Sequence, residues 1–238
     1  MTGSANALRT LLGKELHAVF VAPVGYAIAA VFLLVLGYTF SLTLFNTKVA
    51  NLQYIFHQMY VLSILLVPAL TMRAFAEERR NETLELLLTA PVPESTIVLA
   101  KFLATYFLVL GMYCGALVYA AILALHGDPD VGPMLAGFLA LACLAAALVS
   151  IGILISAFTE NQVIAAAVSM GTFLMLWFID SATGILPGWM QGFVVNLSLI
   201  GHFKPMATGS VFASDIGYFA TLSLLALWLA TRRLQERA

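Results

Sequence analysis

Six apolar stretches, each close to the length that crosses a lipid bilayer, constrain this chain more than any other feature. A spanning helix needs roughly 20 apolar residues, because about 30 Å of hydrocarbon is crossed at about 1.5 Å per residue. The stretches cover residues 24–45, 54–72, 102–125, 134–158, 163–179 and 216–230. The last is short unless its helix begins near Ala213 or continues past Thr231. The sequence therefore predicts an all-α, polytopic membrane protein with six transmembrane helices.

The composition agrees with a chain that resides in lipid. Of its 238 residues, 62% are hydrophobic and 10% are charged, and the mean hydropathy is +0.98. Polar side chains are too few to cover a water-soluble globule. Cys114 and Cys143 both fall in predicted spans. They indicate apolar packing rather than a disulfide framework or redox chemistry.

The distribution of cations predicts the orientation, because Lys and Arg are retained on the cytoplasmic side of a membrane. Nine of the eleven fall at the two termini or between the second and third spans, and only Lys48 and Lys204 fall in the alternate loops. We therefore expect both termini to be cytoplasmic. The loops at 46–53, 126–133 and 180–215 are expected to face outward.

Residues 1–23 are predicted to form a cytoplasmic interfacial helix. Apolar side chains follow one stripe between residues 7 and 20, as in helices that lie in the membrane interface. Glu15 interrupts this stripe, and a carboxylate against lipid is costly, so we expect it to turn toward protein or toward water. Pro23 should end the helix before the first span. That span is longer than the core of a cleavable signal peptide and is expected to be retained.

Close contacts between spans are predicted from the spacing of small residues. Gly111 and Gly115 lie four positions apart in the third span, and Ala142, Ala146 and Ser150 repeat this spacing in the fourth. Small side chains let helices approach closely in lipid, although such spacings are common in spanning helices. The spans contain few ionisable residues, which disfavours an intramembrane proton relay or ion site.

Residues 73–101 form a predicted coupling loop that begins with the densest charge in the chain. Between residues 82 and 89 a helical projection separates two faces. The apolar face contains Leu84, Leu87 and Leu88, and the opposite face contains Glu82, Glu85 and Thr89. Leu86 lies outside the apolar arc. A helix that lies flat on lipid needs only one apolar face, so the extra leucine favours binding of this helix in a groove of a partner protein. The alternative is a solvated loop whose ion pairs contribute little stability.

Residues 180–215 are apolar but are interrupted by proline and glycine. These interruptions prevent a single helix from spanning the bilayer. The pattern therefore predicts one or two short helices that re-enter the outer leaflet before the sixth span. The candidate residues of this outer re-entrant lid are Pro187, Trp189, Phe193, Phe203 and Pro205. Two interpretations stay open: a lid over a translocation path, or structural filling beside a short sixth span.

Residues 75–91, FAEERRNETLELLLTAP, resemble the cytoplasmic signature of ABC-2 type transporter permeases. Lys14-Glu-Leu, followed by Pro-Val-Gly-Tyr at 23–26, resembles the start of the gliding-motility-associated subgroup. The order of the six spans, the interfacial helix, the loop and the re-entrant segment is also similar. Asn81 departs from the pattern, because many relatives place Ser or Gly at this point.

The resemblance implies a single permease domain over residues 1–238 in a bacterial inner membrane. It implies a second permease subunit, of the same or a different chain, and a separate ATP-binding cassette subunit that binds ATP and Mg²⁺. No cofactor on this chain, no enzymatic activity and no nucleic-acid partner are expected. Gly13-Lys14 is not a phosphate-binding loop, since Leu8 stands where such a loop has glycine. The residues expected to dock the ATPase are Lys14, Glu15, Glu77, Glu78, Arg79, Glu82, Thr83, Leu84, Glu85, Leu87 and Leu88.

Two other protein classes share part of this sequence pattern. An intramembrane protease of the type with a Glu-Glu-x-x-x-Arg signature is disfavoured, because residue 82 is Glu where the signature has Arg. The spans also lack the H-E-x-x-H and G-x-S-x-G motifs. A non-enzymatic scaffold or force-transmitting subunit shares every compositional feature of a permease. Only an associated ATPase separates these two interpretations.

Overall fold

The computed structural model describes residues 2–47, 52–80, 82, 92–126, 130–182 and 187–236, and these fold almost wholly into helices. The elements in chain order are α1 (Thr2–Val21), α2 (Pro23–Thr47), α3 (Gln53–Thr71), α4 (Arg73–Arg80), α5 (Glu94–Gly115), α6 (Leu117–His126), α7 (Val131–Phe158), α8 (Gln162–Phe178), α9 (Gly188–Leu197), α10 (Leu199–Ala207) and α11 (Ala213–Gln235). The predicted all-α class is confirmed.

Six stretches of helix in the described residues are long and apolar enough to cross a bilayer. They are Pro23–Asn46, Gln53–Arg80, Glu94–Leu125, Val131–Phe158, Gln162–Ser181 and Ala213–Gln235. Each overlaps one of the six predicted spans, so the protein is a multi-pass membrane protein. The sixth span begins at Ala213 and also continues past Thr231, which provides the length that its apolar core alone lacks.

The break between α1 and α2 lies where Pro23 predicted it. Helix α1 ends at Val21, and Pro23 is the first residue of α2. Proline is tolerated at this first helical position because its missing N–H would have no intrahelical partner there. Helix α1 then packs along α5. The N-terminal helix is thus tied to the third span as well as to the first.

Helix α7 is the central helix of the bundle and contacts α3, α4, α5, α8, α10 and α11. Two glycines permit the close approach of α3. A Cβ on Gly137 would collide with the ring of Phe56, and one on Gly152 would collide with the side chain of Thr71. Of the predicted small residues, Gly115 contacts Leu33, whereas the space beside Gly111 is open. Small residues therefore do form close contacts between spans, but the sequence spacing did not predict the contacts at Gly137 and Gly152.

Residues 180–215 contain two short α-helices, α9 and α10, as the sequence predicted. Ser198 caps α10 by accepting a hydrogen bond from the N–H of Gly201 at 3.1 Å. His202 joins α10 to the start of α11, because its Nδ1 lies 2.7 Å from Oδ1 of Asp215. The imidazole also stacks on Tyr218, with ring centroids 4.1 Å apart. These contacts fix α10 against the sixth span.

The two ends of the bundle differ in chemistry. At one end Glu15 of α1 contacts Lys101 of α5, and Arg233 of α11 lies over the ring of Phe158, the last residue of α7. The N-terminal helix, α4 and the end of α11 therefore lie on the same side. The pair of His202 and Asp215 lies at the other end.

Candidate functional site at the charged end of the bundle

Three helices meet around one buried cation at the charged end of the bundle. The ammonium of Lys101 on α5 lies 2.7 Å from Oε1 of Glu78 on α4 and 3.2 Å from Oε1 of Glu15 on α1. It also lies 5.3 Å from the centre of the Phe75 ring, a cation–π distance. We call Lys101, Glu15 and Glu78 the charged triad.

The charged triad is shielded from solvent, which makes its members dependent on one another. The side chain of Lys101 is 4% exposed, and those of Glu15 and Glu78 are 15% and 21% exposed. A buried charge is strongly destabilising once its partner is removed. The expectation that Glu15 turns toward protein is confirmed. The triad thereby connects α1, α4 and α5 by charge as well as by packing.

The hydroxyl of Ser156 holds the joint between α3 and α4. Its oxygen accepts hydrogen bonds from the N–H groups of Phe75 at 3.0 Å and Ala76 at 3.2 Å, and it donates to the carbonyl of Met72 at 3.1 Å. In an uninterrupted helix the N–H of Ala76 would donate to the carbonyl of Met72. A side chain inserted into this ladder is a recognised cause of a helix kink. Ser156 thus fixes the position at which α4 departs from α3.

Arg79 provides a second link between α4 and α7. Its Nη2 donates a hydrogen bond to the carbonyl of Ala157 at 2.8 Å. Carbonyl groups in the last turn of a helix lack intrahelical donors, and a cation there also complements the helix dipole. With the bonds from Ser156, this contact attaches both ends of α4 to the last turn of α7.

The predicted docking residues fall into three groups. Lys14, Glu15, Glu77 and Glu78 line one cavity of about 310 Å³ together with Lys101. Arg79 faces α7, and exposed Glu82 lies just after α4, with its N–H bonded to the carbonyl of Arg79. Thr83, Leu84, Glu85, Leu87 and Leu88 lie outside the described residues, as does the rest of the predicted helix at 83–89.

Glu82 has a left-handed backbone conformation, with φ at +55°. Such values are uncommon outside glycine and are typical of residues that end a helix. Glu82 therefore lies in a turn, and the prediction that the helix at 82–89 begins at this residue is wrong.

The outer lid candidates are placed on α9 and α10. Pro187 precedes α9 and is exposed, and Trp189 and Phe193 belong to α9, although their side chains are not among those described. Phe203 is 2% exposed and packs on Tyr60, with ring centroids 4.9 Å apart. Pro205 lies inside α10. Phe203 is therefore an anchor within the bundle.

Two residues central to this arrangement were missed from the sequence. Lys101 was counted as a loop cation, but α5 begins at Glu94, so Lys101 lies two turns inside the helix. Ser156 is the second, and its hydroxyl near the end of an apolar span was the available signal. Among the described residues, no group of three or more His, Cys, Asp or Glu side chains is arranged to hold a metal ion.

Comparison with known families places these features in context. The family model described as ABC-2 family transporter protein matches residues 45–208, which is more than half of the chain. This range covers α3 to α10, including the joint held by Ser156 and the predicted coupling loop at 73–101. No curated protein shows a significant match to the chain. The chain belongs to the ABC-2 family of transporter proteins.

Proposed function

We propose that this chain is the permease subunit that docks a separate ATP-binding cassette subunit at the charged end of its bundle. The membrane transport role follows from the family, whose members are not themselves the ATPase. The docking surface that we propose consists of the exposed sides of α1 and α4 and residues 81–91. Both termini and this surface then lie in the cytoplasm of a bacterium. A second permease subunit, of the same or a different chain, completes the pathway.

The charged triad is the observation that carries this proposal. A push on α1 or α4 reaches Lys101 directly, because Glu15 and Glu78 both hold its ammonium. From α4 the displacement reaches α7 through Ser156 and Arg79. Packed helices with fixed polar contacts can transmit such movement as rigid bodies.

Helix α7 also provides a route to the outer end. It contacts both α10 and α11, and α10 carries Phe203 and Pro205 of the outer re-entrant lid. Closure of the ATPase dimer around ATP and Mg²⁺ would thereby shift α4, then α7, and then the segment over the outer opening. In this mechanism the permease binds neither ATP nor Mg²⁺.

Charge reversal at exposed positions tests docking without breaking the charged triad. Arg80 and Glu82 are exposed beside α4, and Lys204 is exposed on α10 at the other end. We expect the double variant R80E/E82K to lose most of the co-purifying ATPase and of the transport-coupled ATP turnover. The matched control K204E should retain both. Equal recovery of the ATPase with both variants would contradict docking at this surface.

A further inference from the structure

The cavity at the charged end has one charged wall and one apolar wall. It lies between α1, the start of α2, the joint of α3 with α4, and α5, and its volume is about 310 Å³. The charged wall consists of Lys14, Glu15, Arg73, Glu77, Glu78 and Lys101. Three cations therefore face three carboxylates, so the wall has no net charge. Such a wall suits a zwitterionic ligand better than an anionic one.

An apolar groove continues from this cavity along the outside of α2 and α5. Its volume is about 220 Å³, and it shares Val19, Gly25 and Leu108 with the cavity. The groove extends to Leu33 and Gly111, and a Cβ added to Gly111 would meet open space. From Lys101 to Gly111 the helix rises about 15 Å, at about 1.5 Å per residue. This is about half of the hydrocarbon thickness, which is the depth that one acyl chain reaches.

Two side chains in the charged wall are suited to the two charges of a headgroup. Nε of Arg73 is buried and has no hydrogen-bond partner among the described residues. Guanidinium groups bind phosphate through paired, charge-assisted hydrogen bonds. Glu77 lines the same cavity one helical turn further along α4. A carboxylate can accept the hydrogen bonds that an ammonium group donates.

We propose that the cavity and groove together bind one phosphatidylethanolamine molecule from the adjoining leaflet. The phosphate lies at Arg73, the primary ammonium donates to Glu77, and one acyl chain follows the groove past Leu108 to Gly111. A primary ammonium fits better than choline, because it donates hydrogen bonds and needs less room. The lipid fills the cavity and the groove beside α1 and α5. The lipid test does not depend on ATPase docking, since the permease alone contains the cavity and the groove.

Native mass spectrometry of the purified permease tests the site. The protein is titrated in detergent with phosphatidylethanolamine, phosphatidylcholine or phosphatidylglycerol of matched acyl chains. We expect wild type to bind the first lipid at least tenfold more tightly than the other two. Equal binding of all three lipids, or a preference for the anionic lipid, would overturn the proposal.

Two variants separate the headgroup contact from the groove. G111L should fill the groove and reduce phosphatidylethanolamine binding at least tenfold, whereas G171L, at an equally open position on α8, should leave binding unchanged. E77Q should abolish the preference for phosphatidylethanolamine over phosphatidylcholine while leaving phosphatidylcholine binding unchanged. Thermal unfolding identifies any variant that has lost its fold. Unchanged binding and selectivity in folded G111L and E77Q would refute the site.

Discussion

The ammonium of Lys101 lies 2.7 Å from Oε1 of Glu78, in a contact that joins the third span to the short helix after the second. Glu15 of the N-terminal helix completes the same site from the other side. Because all three side chains are mostly shielded, the contact is a structural element of the bundle rather than a surface ion pair. The proposed docking surface therefore adjoins a fixed junction of three helices.

Replacement of Lys101 by methionine should destabilise the protein by about 3–5 kcal/mol, because it removes the cation that the largely shielded carboxylates of Glu15 and Glu78 both contact. Thermal unfolding in detergent measures this loss. The matched variant K204M changes an exposed lysine at the other end of the bundle and should unfold like wild type.

Neutralising the partners should rescue the Lys101 variant. In the triple variant K101M/E15Q/E78Q the three positions of the charged triad are neutral, so most of the lost thermal stability should return. ATP turnover should stay low if the ionic contacts also transmit movement. A triple variant less stable than K101M would show that the carboxylates are stabilised by groups other than Lys101.

Ser156→Ala should cost about 1–3 kcal/mol, because two buried N–H groups and one carbonyl lose the hydroxyl that bonds them. Ser169→Ala is the control, since Ser169 is equally buried and its hydroxyl has no hydrogen-bond partner among the described residues. Chemical unfolding of the two variants side by side measures the difference. Equal stability of S156A and S169A would mean that the joint at Met72 is held by packing alone.

Gly152→Ala should also destabilise the bundle, by about 1–3 kcal/mol, because the new methyl group collides with Thr71 where α3 crosses α7. Gly171→Ala meets open space on α8 and should be neutral or slightly stabilising. Melting temperatures of the two purified variants test this. If the double variant G152A/T71A, which lacks the Oγ1 and Cγ2 atoms that the new methyl group meets, recovers part of the lost stability, the collision is the cause.

Side-specific labelling tests the orientation. In a background without Cys114 and Cys143, a cysteine at Arg80 should react with a membrane-impermeant maleimide only after the cells are permeabilised. A cysteine at Ser210, exposed at the other end, should react in intact cells. Labelling of position 80 from outside would invert the proposed topology and remove the ATPase from this surface.

The spans were predictable because their apolar length is a property of each segment alone. The same holds for the break at Pro23 and for the two short outer helices, where proline and glycine interrupt the apolar pattern. The charged triad was not predictable in this way, because Lys101 is 86 positions from Glu15 and 23 positions from Glu78. A sequence shows that a charge is present, but burial depends on which helices become neighbours.

The same reason explains the missed glycines and Ser156. Glycine at 137 and 152 matters only because Phe56 and Thr71 face these positions on another helix. The spacing of Gly111 and Gly115 predicted a close helix contact at both positions, but in the described bundle only Gly115 lies against a neighbouring helix. The docking role of residues 83–89 remains a prediction from their amphipathic pattern and from the family resemblance.

Site-specific crosslinking in the native membrane tests the proposed docking most directly. A photoreactive amino acid is placed at Glu82, beside α4, or at Ser210 at the outer end, and mass spectrometry identifies the adducts. We expect position 82 to crosslink to an ATP-binding cassette subunit and position 210 to give no such adduct. An ATPase adduct at position 210, or none at position 82 in a complex that still contains the ATPase, would contradict docking at the charged end.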